Sequence, residues 1–482
     1  MITLGEAARA TGGAWLAKPL PDGTPLLGGA FDTRDLGAAE VFFALEGEES
    51  DGHNYLAKLS GSRVKLAVVH RPVPKETIAG IPGLAVLQTG NTLQALAELA
   101  GHMVGKYRPR VVAVTGSYGK TTTKEVIANV LSGAMTLLKT PGSLNNEIGV
   151  PITLLSLEER HRAVVLEFSA RKPGDIDTLG RIAAPDVAVL LNVGHAHIGV
   201  FGSQQAIFQA KGEIFNHLRP GGLALVGAEE PRLRELAAGR RVLTFGRESG
   251  DFRADRIVLD GAGRQRFDGI HQELRLALHS GVPGPRGCEP VLAAWAVARE
   301  LGVPDAVVAD RAGQPPQQKG RLRLFEAPGG AVVIDDAYNA SPETVVNLIE
   351  TLNDRPERVK VVVLGPLAEL EEGLADTAAR IAGSLGPPLS RCIVYDPDSS
   401  QLFDGLERAG TRVALEMAGT QAELFAALKA LDAPDTVVGI KGSRSAHMER
   451  AVQALLGTQV ACRLHPCALL RYCTDCDDLT GI

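Results

Sequence analysis

A short glycine-containing segment, Gly116-Ser-Tyr-Gly-Lys-Thr121, constrains the fold of this chain more than any other feature. It follows a continuous apolar run at residues 111–114 and precedes a segment of helical periodicity at residues 124–131. A buried strand, a glycine turn and a helix in this order form a phosphate-binding loop, in which backbone N–H groups and the helix N-terminus bind an anion. The loop has the shorter G-x-x-G-K-T form, because Val114 stands where the longer pattern has glycine. The segment therefore predicts a nucleotide site in an α/β domain.

Short apolar runs recur along the chain and alternate with segments of helical periodicity. Continuous rather than alternating hydrophobicity is typical of strands buried on both faces of a parallel sheet. At 482 residues the chain is too long for one core. The predicted fold class is α/β in three domains: a central doubly wound P-loop domain with a parallel sheet, a small N-terminal α/β domain and a C-terminal Rossmann-like α/β domain. The predicted boundaries are 1–105, 106–312 and 313–460, with a Cys-rich tail at 461–482 and a polar linker candidate at 313–320.

Charge and hydropathy exclude some classes of partner. Fifty basic against fifty-six acidic residues give a formal charge of −6, whereas non-specific nucleic-acid binding needs a basic face. The N-terminus has no basic region followed by an apolar run, and no apolar stretch approaches the roughly 20 residues of a membrane span. We therefore expect a cytoplasmic monomer that binds neither nucleic acid nor membrane.

Cysteines are concentrated at the C-terminus. Four of the six, Cys462, Cys467, Cys473 and Cys476, lie in the last 21 residues. Cys473 and Cys476 form a C-x2-C pair, and Cys462 and Cys467 can complete a four-thiolate zinc site. The alternative is a surface tail with incidental thiols. The sequence leaves both interpretations open.

Several motifs in a fixed order resemble the Mur ligase family, and its MurF type in particular. The resemblance extends from Asp32 to about Glu449 and rests on these segments: 32–34 (Asp-Thr-Arg), 119–123 (Gly-Lys-Thr-Thr-Thr), 145–151 (Asn-Asn-Glu-Ile-Gly-Val-Pro), 210–215 (Ala-Lys-Gly-Glu-Ile-Phe), 335–342 and 441–444 (Lys-Gly-Ser-Arg). It implies an ATP-dependent carboxylate–amine ligase that uses ATP and Mg²⁺ and proceeds through an acyl phosphate. For the MurF type, the implied small-molecule partners are a UDP-N-acetylmuramoyl-tripeptide and the dipeptide D-alanyl-D-alanine, joined during peptidoglycan precursor synthesis.

The resemblance also assigns roles to individual residues. The implied catalytic residues are Lys120, Glu167, His197 and Lys211, and the implied Mg²⁺ ligands are Thr121, Glu167, His197 and a carbamylated Lys211. The predicted ATP site comprises Gly116, Ser117, Gly119, Lys120, Thr121 and Thr122, together with Arg321, Asp336, Tyr338 and Asn339 from the C-terminal domain. The predicted substrate-binding residues are Asp32, Thr33, Arg34, Asn145, Asn146 and Arg444, the first three in the N-terminal, uridine-nucleotide-binding domain.

Simpler interpretations exist for three of these residues. Glu167, at the end of a predicted strand, can be a solvated carboxylate, and His197, like the nearby His195, can cap a loop. A lysine ammonium would repel Mg²⁺, whereas the carbamate formed from Lys211 and CO₂ supplies the anionic oxygen that this hard cation prefers. Without that modification, Lys211 is an ordinary lysine on a helix.

Two segments depart from the family pattern. Residues 284–290 (Gly-Pro-Arg-Gly-Cys-Glu-Pro) stand where the family has Gly-x-His-Asn-x-x-Asn, a contributor to the nucleotide site, and residues 365–370 differ as well. Three hypotheses follow: a MurF ligase, a paralogous amide ligase with other carboxylate and amine substrates, or a non-catalytic nucleotide-binding partner protein. The presence of Lys120, Glu167, His197 and Lys211 together favours an enzyme.

Overall fold

The fold comes from a computed structural model of the chain. The structure describes residues 1–48, 50–194, 201–316, 318–367, 373–397, 401–463, 467, 472–476 and 479–480. His195 and His197 lie outside the described residues, so the metal-binding role of His197 stays a prediction.

The first part of the chain forms a parallel-rich sheet with helices packed on it. Its elements are β1 (Ile2–Thr3), α1 (Leu4–Thr11), β2 (Ala14–Ala17), β3 (Pro25–Leu26), β4 (Gly29–Ala30), β5 (Val41–Phe43), β6 (Leu66–Val69), α2 (Lys75–Ala79), β7 (Ala85–Gln88) and α3 (Thr92–Tyr107). The sheet order is β2-β7-β6-β5-β4, with β2 antiparallel to β7 and the other pairs parallel. Helix α3 ends two residues beyond the predicted boundary at 105 and buries Leu96, Leu99 and Met103 in a core shared with the next domain.

The central domain contains a larger, doubly wound sheet. Its elements are β8 (Arg110–Thr115), α4 (Lys120–Ser132), β9 (Leu137–Lys139), α5 (Gly149–Leu154), β10 (Ala163–Glu167), α6 (Asp175–Ile182), β11 (Val187–Leu190), α7 (Gln204–Gly212), β12 (Leu223–Gly227), α8 (Leu233–Leu236), β13 (Arg241–Gly246), β14 (Phe252–Leu259), β15 (Arg264–His271), β16 (Leu274–Pro283), α9 (Cys288–Glu300) and α10 (Asp305–Arg311). The order is β16-β15-β14-β13-β12-β11-β8-β10-β9, and the strands from β9 to β14 in this order are parallel. After β8 the chain forms β9 and β10 on one side of this strand and then crosses to β11 on its other side. The carboxyl end of β8 is therefore a topological switch point, where doubly wound sheets bind ligands.

Strand β8 is continuously apolar in sequence because helices cover both of its faces. Val111 and Ala113 enter the core beneath α3, α5 and α6, whereas Val112 and Val114 enter the core beneath α4 and α9. Alternate side chains point to opposite faces of a strand, so a strand covered by helices on both faces needs apolar residues at every position.

The C-terminal domain is a second doubly wound unit. It is built from β17 (Arg323–Glu326), β18 (Val332–Asp336), α11 (Pro342–Asn353), β19 (Val359–Leu364), α12 (Leu374–Ser384), β20 (Arg391–Tyr395), α13 (Gln401–Ala409), β21 (Ala414–Ala418), α14 (Gln421–Lys429), β22 (Thr436–Lys441) and α15 (Glu449–Leu455). The sheet order is β17-β18-β22-β19-β20-β21, and β17 is its antiparallel edge. Strands β18 and β22 are neighbours, so Asp336 and Lys441 end side by side.

The predicted α/β class and three-domain architecture are confirmed. The apolar run at residues 111–114 lies in strand β8, and the segment of helical periodicity at residues 124–131 lies in helix α4. The antiparallel extension β14–β16 was not predicted from the sequence. The exact domain boundaries remain predictions. None of the described helices has both the length and the hydropathy needed to cross a bilayer.

Trp295 anchors helix α9 in the central core, and its removal should destabilise that domain. The side chain is fully buried, and its Nε1 donates a hydrogen bond to Asp305 Oδ1 at 2.7 Å. We expect Trp295→Ala to lower the free energy of unfolding by about 3–5 kcal/mol, because it leaves a large cavity. Urea unfolding followed by circular dichroism measures this change. The matched control is Val258→Ala at a residue that is 63% exposed, which should change stability by less than about 0.5 kcal/mol. Equal unfolding midpoints for the two variants would contradict the assignment.

Candidate active site

The predicted phosphate loop lies at the switch point of the central sheet. Strand β8 ends at Thr115, and Gly119 precedes α4 with φ +78°, a left-handed conformation that favours glycine. Gly116 needs its small size, since a Cβ there would lie 3.0 Å from Leu191 Cβ. The Lys120 ammonium donates to the carbonyl oxygens of Gly116 at 2.8 Å and Ser117 at 3.0 Å. Two carbonyl groups of the loop therefore position the Lys120 ammonium at the predicted phosphate site.

Asn192, just beyond β11, fixes the shape of this loop. Its Oδ1 accepts hydrogen bonds from the backbone N–H groups of Ser117 and Tyr118, both at 3.1 Å, and its Nδ2 donates to the Tyr118 carbonyl at 3.2 Å. The Gly194 N–H donates to Ser117 Oγ at 2.8 Å. Asn192 was not among the predicted site residues. The available signal was its position as the first polar residue after a buried strand at the same sheet edge.

Glu167 ends β10, the strand next to β8, and it is not a solvated carboxylate. The side chain is buried, and Oε1 accepts a hydrogen bond from Asn145 Nδ2 at 2.7 Å. Its other oxygen, Oε2, is buried without a hydrogen-bond partner among the described residues. An unpaired buried carboxylate oxygen is costly, so this atom suits coordination of a cation.

Lys211 lies near the end of α7 and is only 2% exposed, so it is not an ordinary surface lysine. Burial, followed by the Lys120 ammonium, lowers the pKa of Lys211 to about 7 against the opposing effects of Glu213 and Asp175. At neutral pH the Lys211 amine is therefore uncharged in a large share of the protein molecules, and the uncharged amine is the form that reacts with CO₂.

The remaining residues of the predicted loop open helix α4. Thr121 is 5% exposed, and Thr122 lines a cavity of about 260 Å³ between the central and C-terminal domains. From the central domain the cavity is lined by Tyr118, Gly119, Asn192 and Arg286, among others, and from the C-terminal domain by Arg321, Asp336 and Lys441.

Side chains of the C-terminal domain reach across to the central domain. The Tyr338 hydroxyl contacts Ser143 Oγ, and the Arg321 guanidinium lies 4.5 Å from the Tyr338 ring centroid. Asp336 pairs with Lys441, which also donates to the Asn339 carbonyl at 2.8 Å. Arg444 lies farther out, with its guanidinium 5.8 Å from the Tyr338 ring. The structure thus gathers the predicted third-domain residues around Tyr338.

The segment that departs from the family pattern lines the same cavity. Arg286 packs its guanidinium 5.6 Å from the ring of Tyr118, and Glu289 beside it has a pKa raised by burial. The changed residues therefore lie next to the phosphate loop, where Arg286 contacts Tyr118. The second changed segment, 365–370, extends outside the described residues.

Four predicted substrate residues have local partners. Arg34 forms a two-pronged ion pair with Asp32, with Nε–Oδ1 at 2.9 Å and NH2–Oδ2 at 2.6 Å, and its hydrogen bonds lower the pKa of Asp32. This pair and Thr33 follow β4 in the N-terminal domain, and no described hydrogen bond joins them to the phosphate loop. Asn145 holds Glu167, as described above. Asn146 Oδ1 accepts from the Gly149 N–H at 2.9 Å and so supports the start of α5.

Comparison with known proteins identifies this architecture. Residues 114–298 match the Mur ligase middle domain, and residues 320–444 match the Mur ligase glutamate ligase domain. The chain belongs to the Mur ligase family. The predicted family is therefore confirmed, and the phosphate loop and the residues around Tyr338 fall within the two matched domains.

Individual members of the Mur ligase family match nearly the whole chain. A Mycobacterium tuberculosis protein named UDP-N-acetylmuramoyl-tripeptide–D-alanyl-D-alanine ligase is 32% identical over 90% of this chain and 93% of its own length. A Bacillus subtilis protein of the same name is 30% identical over 92% of this chain and 95% of its own. The crystal structure of MurF from Acinetobacter baumannii superposes with a TM-score of 0.83 at 30% identity, covering 95% of this chain and 99% of that one. MurF from Thermotoga maritima, solved in complex with ADP, gives a TM-score of 0.78 at 28% identity over 90% and 97%.

Asn192 should matter for nucleotide affinity although it need not touch the nucleotide. We expect Asn192→Ala to weaken ATP binding about tenfold, roughly 1.4 kcal/mol, because the loop loses three hydrogen bonds that hold it in its binding shape. Isothermal titration calorimetry measures the dissociation constant. Asn54→Ala, at an exposed position in the N-terminal domain, is the matched control and should bind ATP normally. Unchanged affinity in the Asn192 variant would show that the loop does not depend on this side chain.

Proposed function

We propose that this Mur ligase joins D-alanyl-D-alanine to UDP-N-acetylmuramoyl-tripeptide, with ATP converted to ADP and phosphate. Relatives that carry this activity in their names match about 90% of the chain at 30–32% identity. One observation carries the proposal: at the carboxyl ends of the central strands, a phosphate loop fixed by Asn192 lies with a buried Glu167 oxygen that has no hydrogen-bond partner among the described residues. A loop alone is common to many nucleotide-binding proteins, whereas the added anionic residue suits transfer of the terminal phosphoryl group.

The first step is phosphorylation of the tripeptide's carboxylate, since a free carboxylate is a poor acylating agent. The Lys120 ammonium and the loop N–H groups that Asn192 does not engage bind the β- and γ-phosphates, and Lys120 then exchanges its contacts with Gly116 and Ser117 for phosphate oxygens. Catalysis consists mainly of positioning and charge neutralisation, because the protein makes no covalent bond to the phosphoryl group.

The proposed ligands of Mg²⁺ are Glu167, Thr121 and His197, together with the carbamate formed on Lys211. The unpartnered Oε2 of Glu167 fits this role, and the lowered pKa of Lys211 fits carbamate formation, in which the neutral amine adds to CO₂ and releases one proton. Bound Mg²⁺ would offset negative charge on the transferred phosphoryl group.

The second step is attack of the dipeptide amine on the acyl phosphate. Its carboxylate needs a cationic partner, and Arg444 offers a guanidinium that can bind it through two hydrogen bonds. The proposed contacts of ATP in the C-terminal domain are Arg321, Asp336, Tyr338 and Asn339. The proposed contacts of the uridine nucleotide are Asp32, Thr33 and Arg34.

We propose a cytoplasmic monomer without nucleic-acid or membrane partners. The charge and hydropathy of the chain are consistent with the absence of those two kinds of partner.

Phosphate release from ATP tests the proposed reaction. We expect release only when UDP-N-acetylmuramoyl-tripeptide and D-alanyl-D-alanine are both present, because the acyl phosphate forms on one substrate and is consumed by the other. Lys120→Ala should reduce turnover at least a hundredfold while the circular dichroism spectrum stays unchanged, since it removes the cation at the transferred phosphate. Release that requires a different amine would identify a paralogous ligase. ATP binding without turnover under any substrate combination would leave a non-catalytic binding protein.

The proposed role of Lys211 can be tested by replacing its carbamate with a small carboxylate. We expect Lys211→Ala to lose most of its ligase activity and to regain part of it when formate is added, because a small carboxylate can supply the missing anionic oxygen. Wild-type activity should also fall as pH drops below about 7, since protonation of Lys211 removes the amine that reacts with CO₂. Activity is measured as phosphate release at several formate concentrations. Lys172→Ala, at an exposed lysine, is the control and should neither lose activity nor respond to formate. Full activity of Lys211→Ala without formate would exclude the carbamate role.

A further inference from the structure

The Cys-rich tail packs onto the C-terminal domain through buried contacts. The Tyr472 hydroxyl donates to both carboxylate oxygens of Asp335, at 3.1 and 2.9 Å. Cys473 is 5% exposed, and its backbone N–H donates to Glu449 Oε1 at 3.0 Å. Farther along, the amides of Ala461 and Cys462 donate to the Leu479 carbonyl, so the two ends of the tail meet. Buried hydrogen bonds of this kind indicate that the tail is docked on the C-terminal domain and is not an incidental surface segment.

Three chemically different metal-ligand atoms converge where the tail docks. Cys473 Sγ lies 3.3 Å from His447 Nδ1, and His447 Nδ1 lies 3.4 Å from Glu449 Oε1. These atoms all lie within 4.8 Å of one another, and all three residues are buried. In a tetrahedral zinc site, bond lengths of about 2.3 Å to sulfur and about 2.0–2.1 Å to nitrogen and oxygen place ligand atoms roughly 3.4–3.6 Å apart. The observed separations are close to those of ligands around one ion.

The backbone presents these residues in a fixed way. His447 follows the 3₁₀ turn Arg444–Ala446 in a left-handed conformation with φ 50°, which is uncommon for a side-chain-bearing residue. Glu449 opens α15 with a side chain that is fully buried. Its Oε2 is buried and has no hydrogen-bond partner in the described part of the chain. An unpaired buried carboxylate oxygen carries a free-energy cost, and a cation bound by the other oxygen, Oε1, would lower that cost electrostatically.

We propose that His447, Glu449, Cys473 and Cys476 form a tetrahedral Zn²⁺ site that fastens the C-terminal tail to the C-terminal domain. The thiol of Cys476 lies outside this group of converging atoms, and Cys476 is the proposed fourth ligand because it forms a C-x2-C pair with Cys473 and its N–H donates to the Cys473 carbonyl at 3.0 Å in a 3₁₀ turn. Thiolate and imidazole ligands in a tetrahedral arrangement favour Zn²⁺ over the Mg²⁺ of the ligase reaction.

Two arginines next to the site offset its negative charge. Each coordinating cysteine releases one proton, so two thiolates, one carboxylate and Zn²⁺ carry a net charge of −1. The Arg444 guanidinium donates to Glu449 Oε1 at 2.8 Å, and Arg450 donates a hydrogen bond to Cys473. These cations can neutralise the excess negative charge without acting as ligands. The set differs from a four-thiolate site, because Cys462 and Cys467 are outside it.

The metal would also hold Tyr472 next to the proposed dipeptide-binding arginine. Tyr472 precedes Cys473, and its ring lies 5.3 Å from the Arg444 guanidinium. Coordination of Cys473 would therefore restrict the position of Tyr472, which packs on the Arg444 guanidinium and donates a hydrogen bond to Asp335. The zinc site itself does not depend on the identity of the ligase substrates.

Zinc content of the purified full-length protein tests the proposal. After incubation with Zn²⁺ and gel filtration, we expect about one zinc per chain by inductively coupled plasma mass spectrometry. Cys473→Ser should bind at least tenfold more weakly, whereas the matched variant Cys467→Ser should retain full content, because only the first removes a ligand. Wild-type protein without tightly bound zinc would overturn the proposal. Equal loss in both variants would overturn the ligand set in favour of a four-thiolate site.

Cobalt substitution tests the site first in wild-type protein, whose spectrum does not depend on how any variant folds. Co²⁺ should give the intense visible bands of a tetrahedral complex and a thiolate-to-cobalt charge-transfer band whose intensity corresponds to two thiolates. Cys476→Ser should reduce that band by about half. Weak octahedral bands, or a charge-transfer band corresponding to four thiolates, would contradict the mixed ligand set. Chelation of the metal should also make the tail more susceptible to limited proteolysis, and unchanged susceptibility would exclude its fastening role.

Discussion

The burial of β8 on both faces is the constraint on which the rest of the structure depends. Val111 and Ala113 pack into one core, and Val112 and Val114 into the other, so the strand cannot move without disturbing both layers of helices. Its carboxyl end is therefore a rigid base for the phosphate loop. Neighbouring parallel strands β10 and β11 end at the same edge, which is why Glu167 and Asn192 lie beside the loop although they are distant from it in sequence.

Charged groups are buried around this rigid edge at a cost in stability. Lys211 is buried with a pKa of about 7, and one buried oxygen of Glu167 has no hydrogen-bond partner within the described parts of the chain. A hydrophobic core would be more stable with apolar side chains at both positions. Under the proposed function these groups become useful when Mg²⁺ and phosphates arrive, because the site then needs anionic ligands that are already in place and shielded from water. The loop, by contrast, is satisfied internally, since Asn192 and Lys120 occupy its polar groups.

Much of the fold and the position of the phosphate loop could be predicted from the sequence because the signals were local. Continuous apolar runs predicted the buried strands, and the glycine, lysine and threonine spacing predicted the loop. Asn192 was missed as a site residue because its role depends on the distance between two strand ends, which spacing along the chain does not reveal. The antiparallel ribbon β14–β16 was missed because its strands are only half buried and lack a continuous apolar pattern. Motif order identified the family, since several separate segments had to match together.

The sequence by itself determined the α/β class, the phosphate loop and the family, because these depend on periodicity, residue size and motif order, which are properties of short segments. Only the tertiary structure decided which polar groups are buried and what they face. It buried Lys211 where the charge of Lys120 affects its pKa, and it left Glu167 Oε2 without a hydrogen-bond partner in the described structure. It also placed the altered residues Arg286 and Glu289 in the lining of the cavity. It also brought Cys473 of the tail against His447 and Glu449. Burial and proximity arise from how distant segments pack, so no local pattern in the chain encodes them.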